Sequence, residues 1–273
     1  MNALPVNLSA YFARIGYDGP VEPTLETLNG IVRAHAQAIP FENIDVVLGR
    51  PIEIGAAPLQ RKLVENCRGG YCFEQNGLLL LVLESIGFAA RPLSARVRYG
   101  RPSGVTPPRT HLFLRVEIDG TSWLADVGVG GLSVTSAIRL DAAGEQTTPH
   151  EPRRIVRDGA LWLHQVRLGR DWHDLYEFTL EEMPLIDREL ANWYTSAHPQ
   201  SDFRSRLVVA RALPDGGRKT LLNREFTARR RDGTSDGRLI ATPEELLMVL
   251  ADEFGLRLDA GTRLTCAGLD WPP

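Results

Sequence analysis

A glycine-glycine turn leads directly into a strongly apolar helix, and a cysteine stands where that helix begins. Gly69 and Gly70 precede Cys72, and residues 78–83 read Leu-Leu-Leu-Leu-Val-Leu without a polar interruption. A helix that is apolar on every side has to be buried among neighbouring elements, so this segment belongs at the centre of the fold. Unpaired N–H groups and a partial positive charge at a helix N-terminus stabilise a thiolate. The sequence therefore predicts a nucleophilic cysteine at the start of a central helix.

The first part of the chain is predicted to be helical from its apolar periodicity and its punctuation. The predicted helices cover residues 7–15, 24–37, 59–66 and 72–86. Asn7 is a suitable N-cap for the first of them, and Pro40 follows the end of the second. Gly87 is a suitable C-cap for the fourth helix. These signals predict a bundle of helices around the apolar segment.

From about Arg91 the pattern changes to the alternation that is typical of strands. The predicted strands in this part cover residues 93–99, 111–118, 123–127, 154–156, 161–168 and 172–179. Asp119-Gly120 is a hairpin turn signal between two of them. The pattern predicts an antiparallel sheet or barrel. The last part mixes strands with one helix, and these cover residues 207–211, 218–222, 225–229 and 242–254.

Length and composition are those of an ordinary globular protein. The chain has 273 residues, of which 43% are hydrophobic and 24% are charged. A chain of this size is expected to divide its core over two or three subdomains. The net charge is -3, and the densest basic run, residues 229–231, is followed at once by Asp232. This favours a solvated loop over a nucleic-acid surface.

The number and spacing of the cysteines and histidines indicate the redox compartment and whether a metal site is expected. Three cysteines, an odd and low number, argue against a disulfide framework and fit a reducing compartment. Cys67 is expected to be a packed, inert thiol. The six histidines lack the spacing of metal-binding motifs, so no metal site is expected. No signal peptide or membrane-spanning stretch is visible. We expect a cytoplasmic protein without nucleic-acid or membrane partners, and its oligomeric state stays open.

A catalytic thiol needs an imidazole base with an orienting acceptor, and one hairpin offers both. With Asp119-Gly120 as a two-residue loop, His111 and Asp126 are diagonal neighbours on one face. Diagonal positions lie roughly 7–8 Å apart at the backbone, within reach of these side chains. A three-residue loop would place the two on opposite faces. His164 and His173 also fall on predicted strands, but neither has a hairpin carboxylate placed like Asp126.

Two further segments have less specific patterns. The glycine run over residues 128–131 lacks the dinucleotide-binding spacing and no long helix follows it. Its bare backbone is free to hold phosphate oxygens, while a tight turn or bulge explains the pattern equally well. Residues 40–45 follow the second helix. Their local pattern predicts a turn with Phe41 buried and with Glu42 or Asn43 as a helix cap.

These segments together resemble the motifs of one enzyme family, the arylamine N-acetyltransferases. Residues 68–76, Arg-Gly-Gly-Tyr-Cys-Phe-Glu-Gln-Asn, resemble the family's cysteine signature, and residues 109–112 resemble its histidine motif. Residues 126–131 are similar to its aspartate motif with the glycine loop that follows, and residues 40–43 match its Pro-Phe-Glu-Asn segment. The order of the motifs and the gaps between them also agree. The resemblance is dense from residue 40 to 131 and thinner after residue 190, where residues 196–203 are similar to a further family stretch.

The resemblance implies an α+β fold of three subdomains with a cysteine-protease-like Cys-His-Asp core. These are a helical domain over residues 1–88, an antiparallel β-barrel over residues 89–190 and an α/β lid over residues 191–273. The implied catalytic triad is Cys72, His111 and Asp126. The residues implied for the CoA cosubstrate are Thr110, Gly128, Gly130 and Gly131. Those implied for the acceptor pocket are Phe41 and Phe203.

The activity implied by the resemblance is acetyl-CoA-dependent N-acetylation of arylamines and arylhydrazines by a ping-pong mechanism. Acetyl-CoA acetylates the cysteine, CoA leaves, and the small-molecule amine takes the acetyl group. No permanently bound cofactor is expected, and the usual family association is with xenobiotic metabolism. We expect His111 to take the Cys72 proton and the Cys72 N–H to donate to the oxyanion. Acetyl in preference to a longer acyl group is the family default.

Three alternatives use the same residues differently. A transglutaminase-like thiol hydrolase has the same three residue types but acts on an amide. An amide synthase of the same family closes a macrolactam from a polyketide chain, and it needs a wider cleft and no CoA groove. A non-catalytic binding module should have lost a member of the triad, whereas Cys72, His111 and Asp126 are all present. The glycine loop and the Arg-Gly-Gly entry favour the transferase.

Overall fold

The computed structural model describes residues 6–102 and 104–271. Its α-helices are α1 Leu8–Ile15, α2 Leu25–Ala38, α3 Ile44–Val47, α4 Ala56–Leu59, α5 Cys72–Ile86, α6 Leu185–Ala197, α7 Asp202–Ser205 and α8 Pro243–Phe254. Its strands are β1 Phe41–Glu42, β2 Ala89–Val97, β3 His111–Ile118, β4 Thr121–Ala125, β5 Ile138–Arg139, β6 Arg153–Asp158, β7 Leu161–Leu168, β8 Asp171–Glu182, β9 Val208–Ala212, β10 Arg218–Leu222, β11 Glu225–Arg229 and β12 Ser235–Leu239. A π-helical segment, Gln60–Glu65, continues α4.

Local signals explain most helix boundaries. The Asn7 side chain accepts a hydrogen bond from a backbone N–H in the first turn of α1, and Thr24 does the same for α2. Gly87 ends α5 in the left-handed conformation with φ 104°, as its predicted role requires. The predicted helix over residues 59–66 differs from the structure, where α4 ends at Leu59 and the wider π-helical turns follow.

The apolar helix α5 lies at the centre of the molecule, as the sequence predicts. Its residues Leu78, Leu79 and Leu83 are fully buried, and the helix packs against α4, β2 and β3. Apolar surface on every side of α5 is thereby removed from water, which stabilises the fold by about 25 cal/mol per Å². At 15 residues α5 is short for a bilayer, and no helix within residues 6–102 and 104–271 is long and apolar enough to span one.

A seven-stranded antiparallel sheet with the strand order β5-β4-β3-β2-β8-β7-β6 forms the second layer. The predicted two-residue hairpin loop is confirmed, because Ile118 pairs with Thr121 and both Asp119 and Gly120 have positive φ. The sheet curls into a nearly closed barrel. Gln146 links its two edges, since its side chain bonds the backbone of Arg139 in β5 and its backbone pairs with Arg153 in β6.

A second, five-stranded antiparallel sheet has the order β1-β9-β10-β11-β12. Its first strand comes from the helical part of the chain, where Phe41 pairs with Ala210 in β9. Helix α8 packs on this sheet through Leu246, Leu250 and Phe254, which share a core with β9 and β10. The short strand β1 thus ties the region around Phe41 to the C-terminal sheet.

Helix α6 has no counterpart among the predicted elements. Its buried positions include the polar residues Asn192 and Thr195, whereas Ile186, Leu190 and Trp193 are more than half exposed. A surface helix is normally recognised by apolar residues on its buried face, whereas α6 buries polar residues and exposes apolar ones. The expected boundary between residues 190 and 191 falls inside α6, so a division that keeps the helix intact comes before Leu185 or after Ala197.

Candidate active site

Cys72 is the first residue of α5 and is almost completely buried, with 5% of its surface exposed. The Glu74 side chain turns back to the helix start, where its Oε2 accepts a hydrogen bond of 3.0 Å from the N–H of Tyr71. This is the carboxylate half of a capping box. The Cys72 N–H lies in the first turn, where the helix itself supplies no acceptor. The Cys72 Sγ lies 3.5 Å from the Thr110 carbonyl oxygen, at the entrance to β3.

Glycines around Cys72 are required by close approach of the backbone. A Cβ on Gly128 would lie 2.7 Å from the Cα of Cys72, and one on Gly69 would lie 2.1 Å from the Pro40 carbonyl oxygen. Both distances are shorter than van der Waals contact allows. The glycine loop therefore packs directly on the start of α5, and the glycine-glycine turn packs on the backbone of Pro40, because neither carries a side chain there.

His111 and Asp126 form a buried hydrogen-bonded pair. The distance from His111 Nε2 to Asp126 Oδ2 is 2.8 Å, and the two side chains are 3% and 0% exposed. This confirms the predicted placement on one face of the hairpin. Because Nε2 is engaged with Asp126, Nδ1 is the imidazole nitrogen left for Cys72. The arrangement joins a thiol, a base and an orienting carboxylate.

The second oxygen of Asp126 is fixed by a residue to which sequence reasoning assigned no role. Asn76 Nδ2 donates to Asp126 Oδ1 at 2.8 Å and to the Leu112 carbonyl at 2.7 Å, and Asn76 Oδ1 accepts from the Val127 N–H. The N–H of Gly128 also donates to Asp126 Oδ1, at 3.0 Å. Asn76 lies one helical turn after Cys72, and that spacing was the available signal.

The electrostatics of the pair favour a charged imidazole. Burial alone would lower the pKa of His111, but the Asp126 charge, the hydrogen bond to it and the nearby Cys72 raise it to about 10. Burial alone would raise the pKa of Asp126, but the His111 charge and the hydrogen bonds from His111, Asn76 and Gly128 hold it below its usual value. At neutral pH the pair is therefore imidazolium and carboxylate.

One cavity of about 640 Å³ brings the predicted site residues together. Cys72 and His111 lie on its wall, and Asp126 is buried behind them. The other predicted site residues that line it are Phe41, Thr110, Gly128, Gly130, Gly131 and Phe203. The glycine run is thus a loop on the cavity wall, with Gly130 in the left-handed region at φ 88°. Phe41 and Phe203 meet edge to face with their ring centroids 6.0 Å apart.

The segment after Phe41 connects two walls of the cavity. Glu42 caps α3 by accepting the Ile44 N–H at 2.6 Å, which is one of the two caps predicted. Asn43 instead bonds to a backbone segment that lies about 160 residues later in the sequence. Its Nδ2 donates to the carbonyls of Phe203 and Arg206 at 2.9 and 2.8 Å, and its Oδ1 accepts from the Val208 N–H at 2.8 Å. Asn43 therefore fixes the backbone that carries Phe203.

A partly buried ion network supports the turn that precedes Cys72. Arg68 Nη2 contacts Glu42 Oε1 at 2.8 Å and Asp45 Oδ1 at 3.3 Å, while Lys62 Nζ contacts both Asp45 and Glu74 at 2.6 Å. Burial opposes these charges, but the carboxylates raise the pKa of Arg68 above its usual value. The network joins the helix start to β1 and α3.

The remaining histidines and cysteines do not line the cavity. All six histidines are in the described residues, and only His111 lines the cavity. His35, for example, is buried between Tyr11 and Gln75, and its burial lowers its pKa to about 4. Cys67 is exposed, so the expectation of a packed thiol was wrong; the chain has just left the π-helical segment there with φ 51°. Over residues 6–102 and 104–271, no group of three potential metal ligands is found.

Comparisons with known proteins agree on one family. The N-acetyltransferase family model matches residues 24–263. The chain is 40% identical over 252 residues to the arylamine N-acetyltransferase of Escherichia coli, covering 92% of this chain and 89% of that protein. It is 41% identical over 259 residues to the arylamine N-acetyltransferase of Mycolicibacterium smegmatis, covering 93% and 94%.

Solved structures agree with the sequence relatives. The arylamine N-acetyltransferase of Salmonella typhimurium superimposes with a TM-score of 0.88 at 39% identity and covers 96% of each chain. The Mycobacterium marinum arylamine N-acetyltransferase in complex with CoA gives a TM-score of 0.87 at 37% identity, covering 91% of this chain and 92% of that one. The α+β fold expected from the sequence is thereby confirmed. With its matching fold and these relatives, the chain belongs to the arylamine N-acetyltransferase family of acyltransferases.

Proposed function

We propose that this protein transfers the acetyl group of acetyl-CoA to arylamines and arylhydrazines through an acetyl-cysteine on Cys72. The observation that carries the proposal is the meeting of three groups in and behind one cavity. Cys72 lies at a helix start, His111 lies beside it, and Asp126 bonds the far nitrogen of His111 at 2.8 Å. The names of the relatives supply the substrate class, and the CoA complex of the Mycobacterium marinum protein supports CoA as the leaving group.

The first half-reaction acetylates the cysteine. With the proton on His111, the Cys72 thiolate attacks the thioester carbonyl, and a tetrahedral oxyanion forms. The Cys72 N–H at the start of α5 is placed to donate to that oxyanion. When the intermediate collapses, the bond to the CoA sulfur breaks, and His111 returns its proton to the departing thiolate. The step leaves a neutral imidazole beside an acetyl-cysteine.

The second half-reaction uses that neutral imidazole. An arylamine is weakly basic and largely unprotonated at neutral pH, so its nitrogen can attack the acetyl-cysteine carbonyl directly. His111 accepts the proton that the nitrogen loses, while Asp126 stabilises the imidazolium that forms. Cys72 leaves as a thiolate, which restores the starting charge state.

We assign the two substrates to different parts of the cavity wall. Thr110 and the glycine loop, with Gly128, Gly130 and Gly131, would hold the pantetheine and pyrophosphate of the donor, since a backbone without side chains allows close approach. Phe41 and Phe203 would contact the ring of the acceptor, because they supply flat apolar surface near Cys72. We propose that the chain divides into a helical domain, a β-barrel domain and a lid. We also propose that the protein acts in the cytoplasm.

Isotope exchange tests the order of the two steps. The protein is incubated with acetyl-CoA and labelled CoA in the absence of an amine. A ping-pong enzyme moves the label into acetyl-CoA, because the first half-reaction runs forwards and backwards alone. The Cys72→Ala variant is expected to show no exchange. Exchange that appears only when an arylamine is present would mean direct transfer and would remove the acetyl-cysteine from the mechanism.

A further inference from the structure

A buried carboxylate held by three guanidinium groups lies outside the triad and outside the cavity wall. Glu151 accepts two hydrogen bonds from Arg218, at 2.8 and 2.7 Å, one from Arg153 at 3.2 Å and one from Arg229. The side chains of Arg153 and Arg218 are 1% and 3% exposed. Groups this buried are costly to assemble unless all of them are paired. The cluster lies between the barrel and the C-terminal sheet.

Two of these arginines also hold the backbone that follows the glycine loop. Arg218 Nη2 donates to the Ser133 carbonyl at 2.9 Å, and Arg153 Nη2 donates to the Leu132 carbonyl at 2.8 Å. Both carbonyls come directly after Gly131. Arg229 belongs to the same cluster, and its guanidinium bonds to Glu151.

Ser133, whose carbonyl is held by Arg218, is also bonded to the glycine loop itself. Its hydroxyl donates to the carbonyls of Val127 and Gly130, at 3.2 and 3.0 Å, and accepts from the Gly130 N–H at 3.1 Å. The Ser133 N–H also donates to the Gly130 carbonyl at 3.0 Å. A shift of Ser133 would therefore move the glycine loop.

The same arginine begins the strand that adjoins the loop in the cavity wall. Arg218 is the first residue of β10, and Thr220, two residues on, lines the cavity next to the loop. The loop packs closely there, since a Cβ on Gly131 would lie 3.1 Å from Thr220 Cγ2. The Arg218 side chain thus bonds to the backbone that follows the loop, while the Arg218 backbone belongs to the strand against which the loop packs.

We propose that Arg218, held by Glu151, is a positioning residue that sets the spacing between the glycine loop and β10 and thereby the affinity for the acyl-CoA donor. Neither residue touches the triad, so the chemistry at Cys72 does not depend on them directly. The inference rests on the proposed function, because it assumes that the donor lies against the glycine loop. Burial would raise the pKa of Glu151, but the arginines hold it well below its usual range, so the carboxylate of this Glu151–Arg218 clamp stays charged throughout the neutral range.

Arg218→Lys tests the clamp, with Arg230→Lys as its matched control, since Arg230 bonds Asp236 at an exposed position outside the cluster. A lysine keeps the charge but replaces the planar fork with a single ammonium, which cannot span Glu151 and the Ser133 carbonyl in the same geometry. Acetyl-enzyme formation is followed by intact mass over a range of acetyl-CoA concentrations. An aryl acetate, which carries the acetyl group without the pantetheine arm, serves as a second donor.

We expect Arg218→Lys to raise the acetyl-CoA concentration for half-maximal acetylation about tenfold, with little change in the maximal rate and none with the aryl acetate. Arg230→Lys should leave the reaction with both donors unaffected. Ser133→Ala removes the hydroxyl contacts without disturbing a buried charge, and it should give a smaller change in the same direction.

Unchanged acetyl-CoA dependence in folded Arg218→Lys and Ser133→Ala would overturn the clamp. An equal loss with both donors would also overturn it, since that result indicates general damage to the site. If the unmodified protein accepts the aryl acetate but not acetyl-CoA, the proposed donor itself is wrong, and this outcome is distinguishable from failure of the clamp.

Discussion

At the scale of single residues, the central question is why one of three thiols becomes a nucleophile. Cys72 is nearly buried at a helix start beside a histidine whose pKa is raised to about 10, whereas Cys67 is exposed just after the π-helical segment. The less accessible thiol, Cys72, is the one whose surroundings favour a reactive thiolate. Exposure and activation therefore make contrary predictions.

Alkylation with iodoacetamide separates these two effects. We expect Cys72 to react faster than Cys67 at pH 6, because the imidazolium of His111 stabilises the thiolate. Peptide mapping after short labelling measures both rates in one sample. Faster labelling of Cys67 at pH 6 would contradict an activated Cys72.

Asp126→Asn tests the orienting carboxylate. The change removes the negative charge that stabilises the imidazolium. Asn76 and Gly128, which donate hydrogen bonds to the carboxylate of Asp126, would then face an amide group. We expect a folded protein whose rate of acetyl-enzyme formation falls by about 10³–10⁴. Asp119→Asn, in the exposed hairpin turn, is the control and should be unchanged. A near-normal rate in Asp126→Asn would remove this residue from the mechanism.

At the scale of elements, the hairpin and the central helix could be predicted because their signals are local. The Asp119-Gly120 turn fixes the register, and the register alone places His111 and Asp126 on one face. The apolar run of α5 requires burial whatever surrounds it. Asn76 could not be assigned a role in this way, since its partners lie on β3 and in the loop after β4.

Other elements depend on tertiary contacts that no local pattern encodes. Helix α6 buries Asn192 because that side chain bonds Tyr71 and the Ile52 carbonyl, far away in sequence. The two-residue strand β1 joins the C-terminal sheet through its pairing with β9, which lies far away in sequence. Such features follow from the assembled fold, so the sequence could place the motifs without describing how the cavity walls are joined.

Gly128→Ala tests the contact between the glycine loop and α5. The new Cβ would lie 2.7 Å from the Cα of Cys72. Because Cys72 is fixed in the backbone of α5, the glycine loop would have to move. We expect a loss of about 1–3 kcal/mol in the free energy of unfolding and a large loss in acetyl-enzyme formation. Gly261→Ala, where a Cβ meets open space, is the control. Denaturant unfolding and single-turnover acetylation of both variants decide the matter; wild-type values for Gly128→Ala would refute the contact.

At the scale of the whole molecule, the cavity is assembled from regions distant in sequence. The loop after β4 supplies the glycines, the helical part supplies Cys72 and Phe41, and the C-terminal part supplies Phe203 and β10. Asn43 links the helical part to Phe203 through three backbone hydrogen bonds. The acceptor wall therefore depends on a residue that need not touch the acceptor.

Asn43→Ala should separate the two half-reactions. Loss of three buried hydrogen bonds loosens the segment around Phe203, at a cost of about 1–3 kcal/mol for each partner left unsatisfied. We expect a higher KM for the arylamine, with acetyl-enzyme formation from acetyl-CoA nearly unchanged. Asn66→Ala, at an exposed position before the glycine turn, is the control. A loss confined to the first half-reaction would contradict this role.

The most direct test of the account is the mass of the protein after mixing with acetyl-CoA in the absence of an amine. The account predicts one acetyl group, mapped to the peptide that carries Cys72, which disappears when an arylamine is added and is absent in Cys72→Ala. A folded protein that remains unmodified while Cys72 can still be alkylated would contradict acetyl-CoA as the donor. The amide synthase alternative, with a different acyl donor, would then take its place.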